Sequence, residues 1–428
     1  MKIALISTGE EILAGDIVDT NSAWLAEQLH EHGLKLAWHV TVGDDMASLL
    51  DAFSLAAERS DFCIVNGGLG PTTDDLSAEA AATWLGEGMR ELPEWRDKLE
   101  QYYAKLNRVM PASNIKQAMI PESAQMIDNP VGTACGFAIQ HDNCQLMFTP
   151  GVPHEFKRMI HDQVIPTLLQ HAQQQAPSLH RWLTIGLSES LLADLLDDLP
   201  LPSGCTLGYR SSQPTIEVKL SVPSDVSEEQ LSTVKQGINQ RLGGYVFVDA
   251  KLSLAAHIQQ LMLARGVKLA TAESCTGGMI ADWLVHEAGS SAYFERGYVT
   301  YSNEAKQQDL AVPETVLAQY GAVSAEVAAA MACGASVNAN TDFALATSGI
   351  AGPSGDTPNK PVGTVAFALK TPTGVYQQLL KLPNRGRTMI RKQAAAIALD
   401  MLRRYLTGVD VLADYSGVSE MKQEFIAN

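Results

Sequence analysis

The feature of this sequence that most constrains its fold is a regular alternation of short apolar runs with amphipathic segments. Near the start, strands are predicted at residues 2–7, 37–42 and 62–66, and helices with one apolar face at 21–32 and 46–58. The alternation returns later in the chain, with a helix predicted at 254–265, a strand at 268–272 and a helix at 277–285. Such alternation is typical of a largely parallel sheet with helices on both faces.

The stretch between these two regions has a different order of elements. Strands are predicted there at 182–186, 205–210 and 215–221, and helices at 191–197 and 227–242. We therefore predict an α/β protein in which two three-layer αβα domains with largely parallel sheets are joined by a small α+β middle domain. The predicted domains cover residues 1–168, 176–250 and 253–406, and a tail without a periodic pattern follows at 407–428. A helix predicted from residue 155 to about 175 leads out of the first domain.

Charge and cysteine usage restrict the classes of partner. The formal net charge of −17 argues against direct nucleic-acid binding, because such binders need a basic surface to displace counterions from phosphates. Six scattered cysteines without a CxxC motif are typical of reduced cytosolic thiols. The first residues have the pattern of a strand rather than a signal peptide, and we find no apolar run of about 20 residues that would span a bilayer. We expect a cytoplasmic protein with no membrane contact.

A serine and a lysine in the second α/β region suggest nucleophilic catalysis. Ser274 lies in the run TAESCTGG, at a predicted strand-to-helix turn, and Tyr301 and Lys306 lie in the downstream run YSNEAK. A serine hydroxyl is a poor nucleophile until its proton is removed, and a desolvated lysine can remove it. The residues alone also allow another interpretation, in which Ser274 caps the following helix and Lys306 lies on the surface.

A glycine-rich loop after the third predicted strand suggests an anion site. The run GGLGPTTDD at residues 67–75 follows a buried strand and precedes a helix. Glycines let backbone N–H groups approach an anion closely, and a helix N-terminus favours negative charge. Asp74 and Asp75 could hold a hard divalent cation through oxygen, but they could equally cap the following helix.

Residues 253–406 resemble the C-terminal domain of the CinA family, whose members include nicotinamide mononucleotide deamidases. Six stretches carry the resemblance, at residues 271–278, 289–297, 301–306, 321–324, 347–353 and 360–365. The resemblance implies hydrolysis of nicotinamide mononucleotide to nicotinic acid mononucleotide and ammonia without a cofactor. It implies that Ser274 is the nucleophile and that Tyr301 and Lys306 assist it.

Further side chains of this region are candidates for contacts with the substrate. Backbone N–H groups near Thr276 and Gly277 could form an oxyanion hole, and Thr347 and Gly349 could line the pocket at a strand end. Two arginines one helical turn apart could bind the substrate phosphate, or could belong to a solvated helix end; they are Arg387 and Arg391. This segment reads RGR at residues 385–387, where relatives often read GDR.

Residues 1–168 resemble the molybdopterin-binding fold of the MoaB and MogA proteins. The matching stretches are 8–15, 19–21, 42–45, 67–75 and 150–153, and two more, 110–118 and 132–137, favour the CinA version of the fold. That version also resembles ADP-ribose pyrophosphatases that use a divalent metal (Co or Mg). The implied phosphate-binding residues are Gly67, Gly68, Gly70, Thr72 and Asn21, and the implied metal ligands are Asp74, Asp75, Asp19 and Glu11. The chain departs from the family pattern at Ser77 and Cys135.

Together the two resemblances imply an enzyme of pyridine nucleotide recycling that acts on nicotinamide mononucleotide and ADP-ribose and forms a homodimer. The alternative is a protein without catalysis: either a molybdopterin-type ligand-binding protein or an accessory protein of competence or the response to DNA damage.

Overall fold

The structure, a computed structural model, describes residues 1–172, 177–247 and 252–427. It divides into two compact units, Met1–Ser178 and Leu179–Asn428. The last residues of the helix predicted to reach residue 175, and the predicted domain limits at residues 176 and 250, lie outside the described residues. The division into three domains therefore stays a prediction.

The first unit contains a six-stranded sheet and a separate two-stranded one. Its strands are β1 (Ile3–Thr8), β2 (Leu36–Val42), β3 (Phe62–Asn66), β4 (Met89–Glu91), β5 (Met119–Pro121), β6 (Gln125–Ile127), β7 (Gly136–His141) and β8 (Cys144–Thr149). The large sheet has the order β2-β1-β3-β8-β7-β6. The pairs β2–β1, β1–β3 and β3–β8 are parallel, and the pairs β8–β7 and β7–β6 are antiparallel. Strands β4 and β5 pair with each other in the small sheet.

Helices cover both faces of this large sheet. They are α1 (Glu10–Leu13), α2 (Thr20–Glu31), α3 (Met46–Arg59), α4 (Ser77–Leu85), α5 (Pro93–Lys105), α6 (Pro153–Met159) and α7 (Ile165–His171), with a π turn at Ile160–Val164 between the last two. Ile3 and Leu5 pack with α2, α6 and α7, whereas Ala4 and Ile6 pack with α3, α4 and α5. Alternate side chains of a strand point to opposite faces, and every residue of β1 is buried because helices cover both faces; its first four residues are all apolar.

The second unit begins with a four-stranded sheet. Its elements are β9 (Ser178–Ile185), α8 (Glu189–Leu196), β10 (Thr206–Ser212), β11 (Thr215–Val222), α9 (Glu228–Leu242) and β12 (Val246–Phe247). The sheet order is β10-β11-β9-β12. Apolar residues of α8 and α9 pack on this sheet, and they include Leu192, Val234 and Ile238.

The rest of the second unit is a second three-layer arrangement. Its strands are β13 (Leu269–Glu273), β14 (Phe294–Val299), β15 (Phe343–Gly349), β16 (Thr364–Thr371), β17 (Gly374–Lys381) and β18 (Ser419–Ala427). Its helices are α10 (Leu254–Arg265), α11 (Met279–His286), α12 (Asn303–Leu310), α13 (Glu314–Tyr320), α14 (Ala325–Ala339) and α15 (Arg387–Thr407). The order is β14-β13-β15-β16-β17-β18, in which β13 is parallel to both of its neighbours and the later pairs are antiparallel.

The two faces of this sheet carry different helices. Helices α10, α11 and α15 share one apolar cluster with Leu269, and α12, α13 and α14 share another with Ala270 and Ala272. The predicted α/β class is confirmed. Within the described residues, no helix is both long and apolar enough to cross a bilayer.

The tail, in which the sequence shows no periodic pattern, contains a strand. Strand β18 (Ser419–Ala427) pairs antiparallel with β17 at the edge of the sheet. The strand carries Glu420, Lys422 and Glu424 and is largely exposed, so it has none of the apolar alternation that marks a half-buried strand. Its backbone pairing with β17 stabilises it, and local sequence does not reveal that pairing.

Candidate catalytic sites

Ser274 lies directly after β13, at the carboxyl edge of the parallel part of the second six-stranded sheet. Its backbone N–H donates to the Thr347 carbonyl at 2.9 Å, which continues the pairing of β13 with β15. Gly277 and Gly278 have φ values of 61° and 89°, so the chain turns sharply before α11 begins at Met279. Because Gly278 occupies the N-cap position, Ser274 does not cap that helix. Open α/β sheets commonly bind ligands at this edge.

Lys306 lies on the first turns of α12 and is buried next to Ser274. Its side chain is 1% exposed, which rules out the surface interpretation. The ammonium Nζ donates to Ser274 Oγ at 3.2 Å and to the Thr300 carbonyl at 2.9 Å. Burial disfavours the charged form and lowers the pKa of Lys306 from its ordinary value of 10.5. The pair therefore has the arrangement that an amine base and a serine nucleophile require.

Tyr301 does not contact the serine–lysine pair. Its side chain is 65% exposed, and its hydroxyl accepts a hydrogen bond from Arg387 Nη2 at 3.3 Å. No hydrogen bond joins it to Lys306 among the described residues. The preceding Thr300 is fully buried, and successive side chains of extended backbone point to opposite sides, so Tyr301 faces solvent. Because Tyr301 contacts Arg387 in this conformation, its predicted role of assisting the serine stays a prediction.

The residues predicted to form the oxyanion hole and the pocket are close to Ser274, but they differ in what they can donate. The Gly277 N–H is already bonded to the Ser274 carbonyl at 3.1 Å. This bond corrects the expectation that Gly277 is a free oxyanion donor. The Thr276 N–H has no partner among the described residues and remains a candidate. The hydroxyls of Thr276 and Thr347 bond to each other at 2.7 Å, and both residues are buried.

Gly349 is required by packing. A Cβ at this position would lie 3.1 Å from the Cys275 sulfur and 3.0 Å from the Thr364 carbonyl oxygen. Such contacts are too close for a side chain in a well-packed interior.

Cys275 is itself buried, and burial raises the pKa of its thiol to about 12. A thiol in this state is a poor rival nucleophile, because the thiolate is the reactive form.

Both predicted arginines of α15 reach the loops around Ser274. Arg391 donates to the Cys275 carbonyl at 3.1 Å and to the Thr276 carbonyl at 2.6 Å. Arg387 donates to the Gly352 carbonyl at 2.7 Å. The two side chains therefore brace the turn after the serine and the loop after β15, and they do not belong to a purely solvated helix end.

Sequence reasoning missed Glu273, a fully buried carboxylate directly before the serine. Its side chain accepts from the backbone N–H groups of Ile280 at 3.1 Å and Ala281 at 2.9 Å, at the start of α11. Its carbonyl accepts from the Thr300 N–H at 2.9 Å, and Thr300 in turn holds Lys306. A charged residue at the end of an apolar strand was the available signal.

The first unit contains a cavity of about 490 Å³ at the glycine-rich loop. Of the predicted site residues it gathers Glu11, Gly67, Gly68, Gly70, Asp74 and Asp75. A Cβ on Gly68 would lie 2.2 Å from Ser77 Oγ, so only glycine fits there. Ser77 Oγ also donates to the Gly67 carbonyl at 2.9 Å, and its hydroxyl thus holds this loop despite the departure from threonine. Thr72 lies outside the cavity lining, and its backbone N–H donates to Asp75 Oδ2 at 2.8 Å.

Two predicted ligands, Asp19 and Asn21, are not part of this cavity. Asp19 caps α2 by accepting from the Ser22 N–H at 2.9 Å, and it also accepts from Ser7 Oγ at 2.7 Å. Asn21 donates to the Gly151 carbonyl at 2.8 Å. The structure thus places neither side chain in the cavity lining, and Asn21 Oδ1 has no partner among the described residues, so the metal role of Asp19 and the phosphate role of Asn21 stay predictions.

Asp44 and Glu155 are carboxylates of this cavity that sequence reasoning missed. Burial raises the pKa of Asp44, and the nearby charges of Glu11, Asp74 and Asp75 raise it further. Four carboxylates that repel one another at one cavity are oxygen donors suited to a hard divalent cation. The Thr8 hydroxyl also lines the cavity and is buried without a hydrogen-bond partner. The donor chemistry fits, although no group of three or more His, Cys, Asp or Glu side chains within the described residues has metal-binding geometry as it stands.

Three family models match successive parts of the chain. They are the probable molybdopterin binding domain at residues 4–170, the damage-inducible protein CinA KH domain at 181–248 and the CinA C-terminal domain at 251–406. A CinA-like protein of Shewanella halifaxensis is 49% identical over 424 residues, covering 99% of this chain and 100% of that protein. The chain belongs to the CinA family. The predicted membership of the CinA family is thereby confirmed.

Other similar proteins carry the same family name. A CinA-like protein of Shewanella woodyi is 51% identical over 424 residues, covering 99% of this chain and 100% of that protein. The crystal structure of the competence/damage inducible protein CihA from Agrobacterium tumefaciens covers 36% of this chain and 93% of its own, with 43% identity and a TM-score of 0.35. At this level, the chain is a CinA-family protein with a domain of the molybdopterin-binding type.

Proposed function

We propose that the second unit hydrolyses the carboxamide of nicotinamide mononucleotide to nicotinic acid mononucleotide and ammonia. The observation that carries the proposal is the buried Lys306 Nζ at 3.2 Å from Ser274 Oγ. Ser274 Oγ attacks the amide carbon while neutral Lys306 accepts the hydroxyl proton. The resulting ammonium returns a proton to the leaving nitrogen, so ammonia departs and an acyl-enzyme remains. Water then hydrolyses the ester by the same path in reverse and regenerates the serine.

The groups around the pair supply charge stabilisation and orientation. The Thr276 N–H, which has no partner within the described part of the chain, could stabilise the developing oxyanion, a contribution of about 3 kcal/mol per donor. Arg387 and Arg391 lie one helical turn apart and are the candidates for holding the monophosphate of the substrate. All these groups belong to the chain itself, so we propose that the reaction needs no metal.

The pH dependence of this reaction should follow the lysine. Because only the neutral amine accepts a proton, kcat/KM should rise with pH through the lowered pKa of Lys306 and level off below pH 10.5. The measurement is the pH profile of ammonia release. Lys306→Arg is the matched variant, since a guanidinium stays protonated over this range and should lower the rate by roughly 10²- to 10⁴-fold. If kcat/KM of the Lys306→Arg variant still rose over the same pH range, another group would govern the pH profile.

For the first unit we propose metal-dependent hydrolysis of the pyrophosphate of ADP-ribose to AMP and ribose 5-phosphate. The carboxylates of Glu11, Asp44, Asp74 and Asp75 would hold the divalent ion (Co or Mg), which supplies Lewis-acid chemistry and an activated water when bound. Gly67 donates its N–H to the Thr149 carbonyl at 2.9 Å, so the N–H groups of Gly68 and Gly70 are the ones that would face the phosphates. The support is the gathering of these four carboxylates and the glycine-rich loop at one cavity.

Asp44 and its neighbour Asp45 allow a matched test of the cation site. Asp45 only caps α3, by accepting from the Ser48 N–H at 3.0 Å, and asparagine can replace it in that role. We expect Asp44→Asn to raise the metal concentration needed for half-maximal pyrophosphatase activity by at least about tenfold, and Asp45→Asn to leave it unchanged. Metal titrations of both variants measure this difference. If both variants gave the same dependence of activity on metal concentration, Asp44 would not be a ligand of the cation.

The noncatalytic alternative predicts a different set of results. The match of residues 4–170 to a probable molybdopterin binding domain favours ligand binding at the same cavity. Tight ligand binding without turnover under any divalent metal would support that reading for the first unit. The homodimer, the cytoplasmic location and a role in pyridine nucleotide recycling remain proposals that accompany the enzyme reading.

A further inference from the structure

Glu273 is a buried carboxylate that the proposed mechanism does not use. It is the last residue of β13, it directly precedes Ser274, and its side chain is fully buried. Among the described residues it forms no ion pair with a lysine, an arginine or a histidine. Burying a carboxylate is costly unless hydrogen bonds compensate. The hydrogen-bond partners of this group therefore indicate why an apolar strand ends in a charge.

The partners are backbone N–H groups at the start of α11. The side chain accepts from Ile280 at 3.1 Å and from Ala281 at 2.9 Å, one bond for each carboxylate oxygen. These are the second and third residues of the helix, and a serine, threonine or aspartate at the N-cap normally bonds to such groups. The N-cap here is Gly278, which has no side chain. Glu273 therefore caps α11 from the adjoining strand.

The turn between β13 and α11 requires a cap from outside the turn. Gly277 and Gly278 have φ values of 61° and 89°, a region that favours glycine, so a capping side chain at Gly278 would be strained. The bonds from Glu273 to α11 join the two ends of this turn. Ser274 and Thr276 lie between the joined ends, so the position of both residues depends on these bonds.

The main chain of Glu273 supports the other member of the catalytic pair. Its carbonyl accepts from the Thr300 N–H at 2.9 Å, and the Thr300 carbonyl accepts from Lys306 Nζ at 2.9 Å. One residue is thus bonded to the helix that follows the nucleophile and to the segment that holds the base. Misplacing reacting groups by about 1 Å can lower a rate on the order of 10²-fold, so such a residue can control the rate without touching the substrate.

We propose that Glu273 is a positioning residue for the proposed amide hydrolysis. Its side chain fixes the start of α11 relative to the end of β13, and this holds Ser274 Oγ beside Lys306 Nζ. The inference rests on the proposed deamidase function, and it assigns to Glu273 a role in the rate of the reaction rather than in substrate binding.

The first test is Glu273→Gln in the full chain, which keeps the size of the side chain but leaves one acceptor oxygen for the two N–H groups. We expect kcat for ammonia release to fall by roughly 10- to 100-fold while KM stays within about threefold of wild type. Glu273→Asp keeps the charge but shortens the side chain, and it should show the same loss. Full activity in either variant, or a change in KM alone, would overturn the inference.

Glu287→Gln is the matched control at the other end of the same helix. Glu287 directly follows α11 and accepts from Ser253 Oγ at 2.6 Å. Its replacement should leave kcat and KM within about twofold of wild type, because it does not bound the turn that carries the serine. An equal fall of kcat in Glu287→Gln and Glu273→Gln would show a general effect of removing charge near α11 and would overturn the assignment.

Labelling with a phosphonofluoridate tests the same geometry without nicotinamide mononucleotide. Ser274 Oγ attacks phosphorus, fluoride leaves and the hydroxyl proton passes to Lys306, so the rate of adduct formation reports the pair itself. Intact-protein mass measures the adduct, and Ser274→Ala is the blank. Glu273→Gln should slow labelling by roughly tenfold or more without moving the pH of half-maximal rate. If that pH moved, Glu273 would act through the charge of Lys306, and the positioning role would be wrong.

The two measurements separate this inference from the proposed function. Adduct formation at Ser274 without ammonia release in the wild type would refute the deamidase proposal, and the labelling rates would still decide the role of Glu273. A wild type that gave neither ammonia nor adduct would overturn both. Thermal unfolding reports whether each variant is folded, and the labelling rate is compared only for folded protein.

Discussion

Replacing Ser274 with alanine is expected to abolish ammonia release from nicotinamide mononucleotide, lowering kcat by roughly 10⁴-fold or more. The reason is geometric: Ser274 Oγ is the hydroxyl that Lys306 Nζ contacts, at 3.2 Å, and alanine removes the attacking atom while leaving the lysine buried. The measurement is ammonia release by the purified full chain, with and without EDTA. Activity that needs Ser274 and survives EDTA would identify a metal-free serine amidohydrolase.

The neighbouring cysteine provides the matched control. Cys275→Ala removes a buried thiol whose high pKa makes it a poor nucleophile, so turnover should stay within about tenfold of wild type. If Ser274→Ala retained turnover and Cys275→Ala lost it, the thiol would be the nucleophile. Absence of ammonia release from the wild type would refute the deamidase proposal and favour the ligand-binding alternative.

Asp400→Asn is expected to destabilise the second unit by about 3–5 kcal/mol, because it leaves buried arginines without their counter-charge. Asp400 is fully buried in α15 and accepts from Arg403 Nε at 2.6 Å, Arg404 Nε at 2.7 Å and the Tyr415 hydroxyl at 2.9 Å. Arg403 also donates to the Gly244 carbonyl at 2.6 Å, so the network joins α15 to the end of the small four-stranded sheet. Chemical unfolding should report the loss as a lower transition midpoint.

An exposed ion pair in the same unit is the control for charge removal as such. Glu295 bonds to Lys268 at 2.5 Å, and both side chains are largely in solvent. Glu295→Gln should change the free energy of unfolding by less than about 1 kcal/mol, since exposed pairs gain little in high dielectric. If Asp400→Asn and Glu295→Gln lowered the free energy of unfolding equally, burial of the Asp400 network would not be the cause of the loss.

Local sequence patterns correctly predicted several buried strands and helices of the fold. The strand predicted at residues 62–66 agrees with β3 to the residue, and the helix predicted at 254–265 agrees with α10. In both, the apolar period reflects burial that local sequence already encodes. Strand β18 was missed because it is largely exposed and pairs with a segment distant in sequence. Strands β6 and β7 were also missed, although β7 is buried over Gly136–Ile139 and both of its partners are close in sequence.

The sequence by itself determined the α/β class, the turn that carries Ser274 and the glycine-rich loop that precedes Asp74 and Asp75. Short motifs specify these features because adjacent residues build them. The burial of Lys306 beside Ser274, a residue distant in sequence, was decided by the tertiary structure. Only the tertiary structure decided that Asp44 joins the carboxylates of the cavity and Asp19 does not, and that Tyr301 contacts Arg387 instead of Lys306. Membership of a cavity depends on long-range packing, which short sequence motifs do not encode.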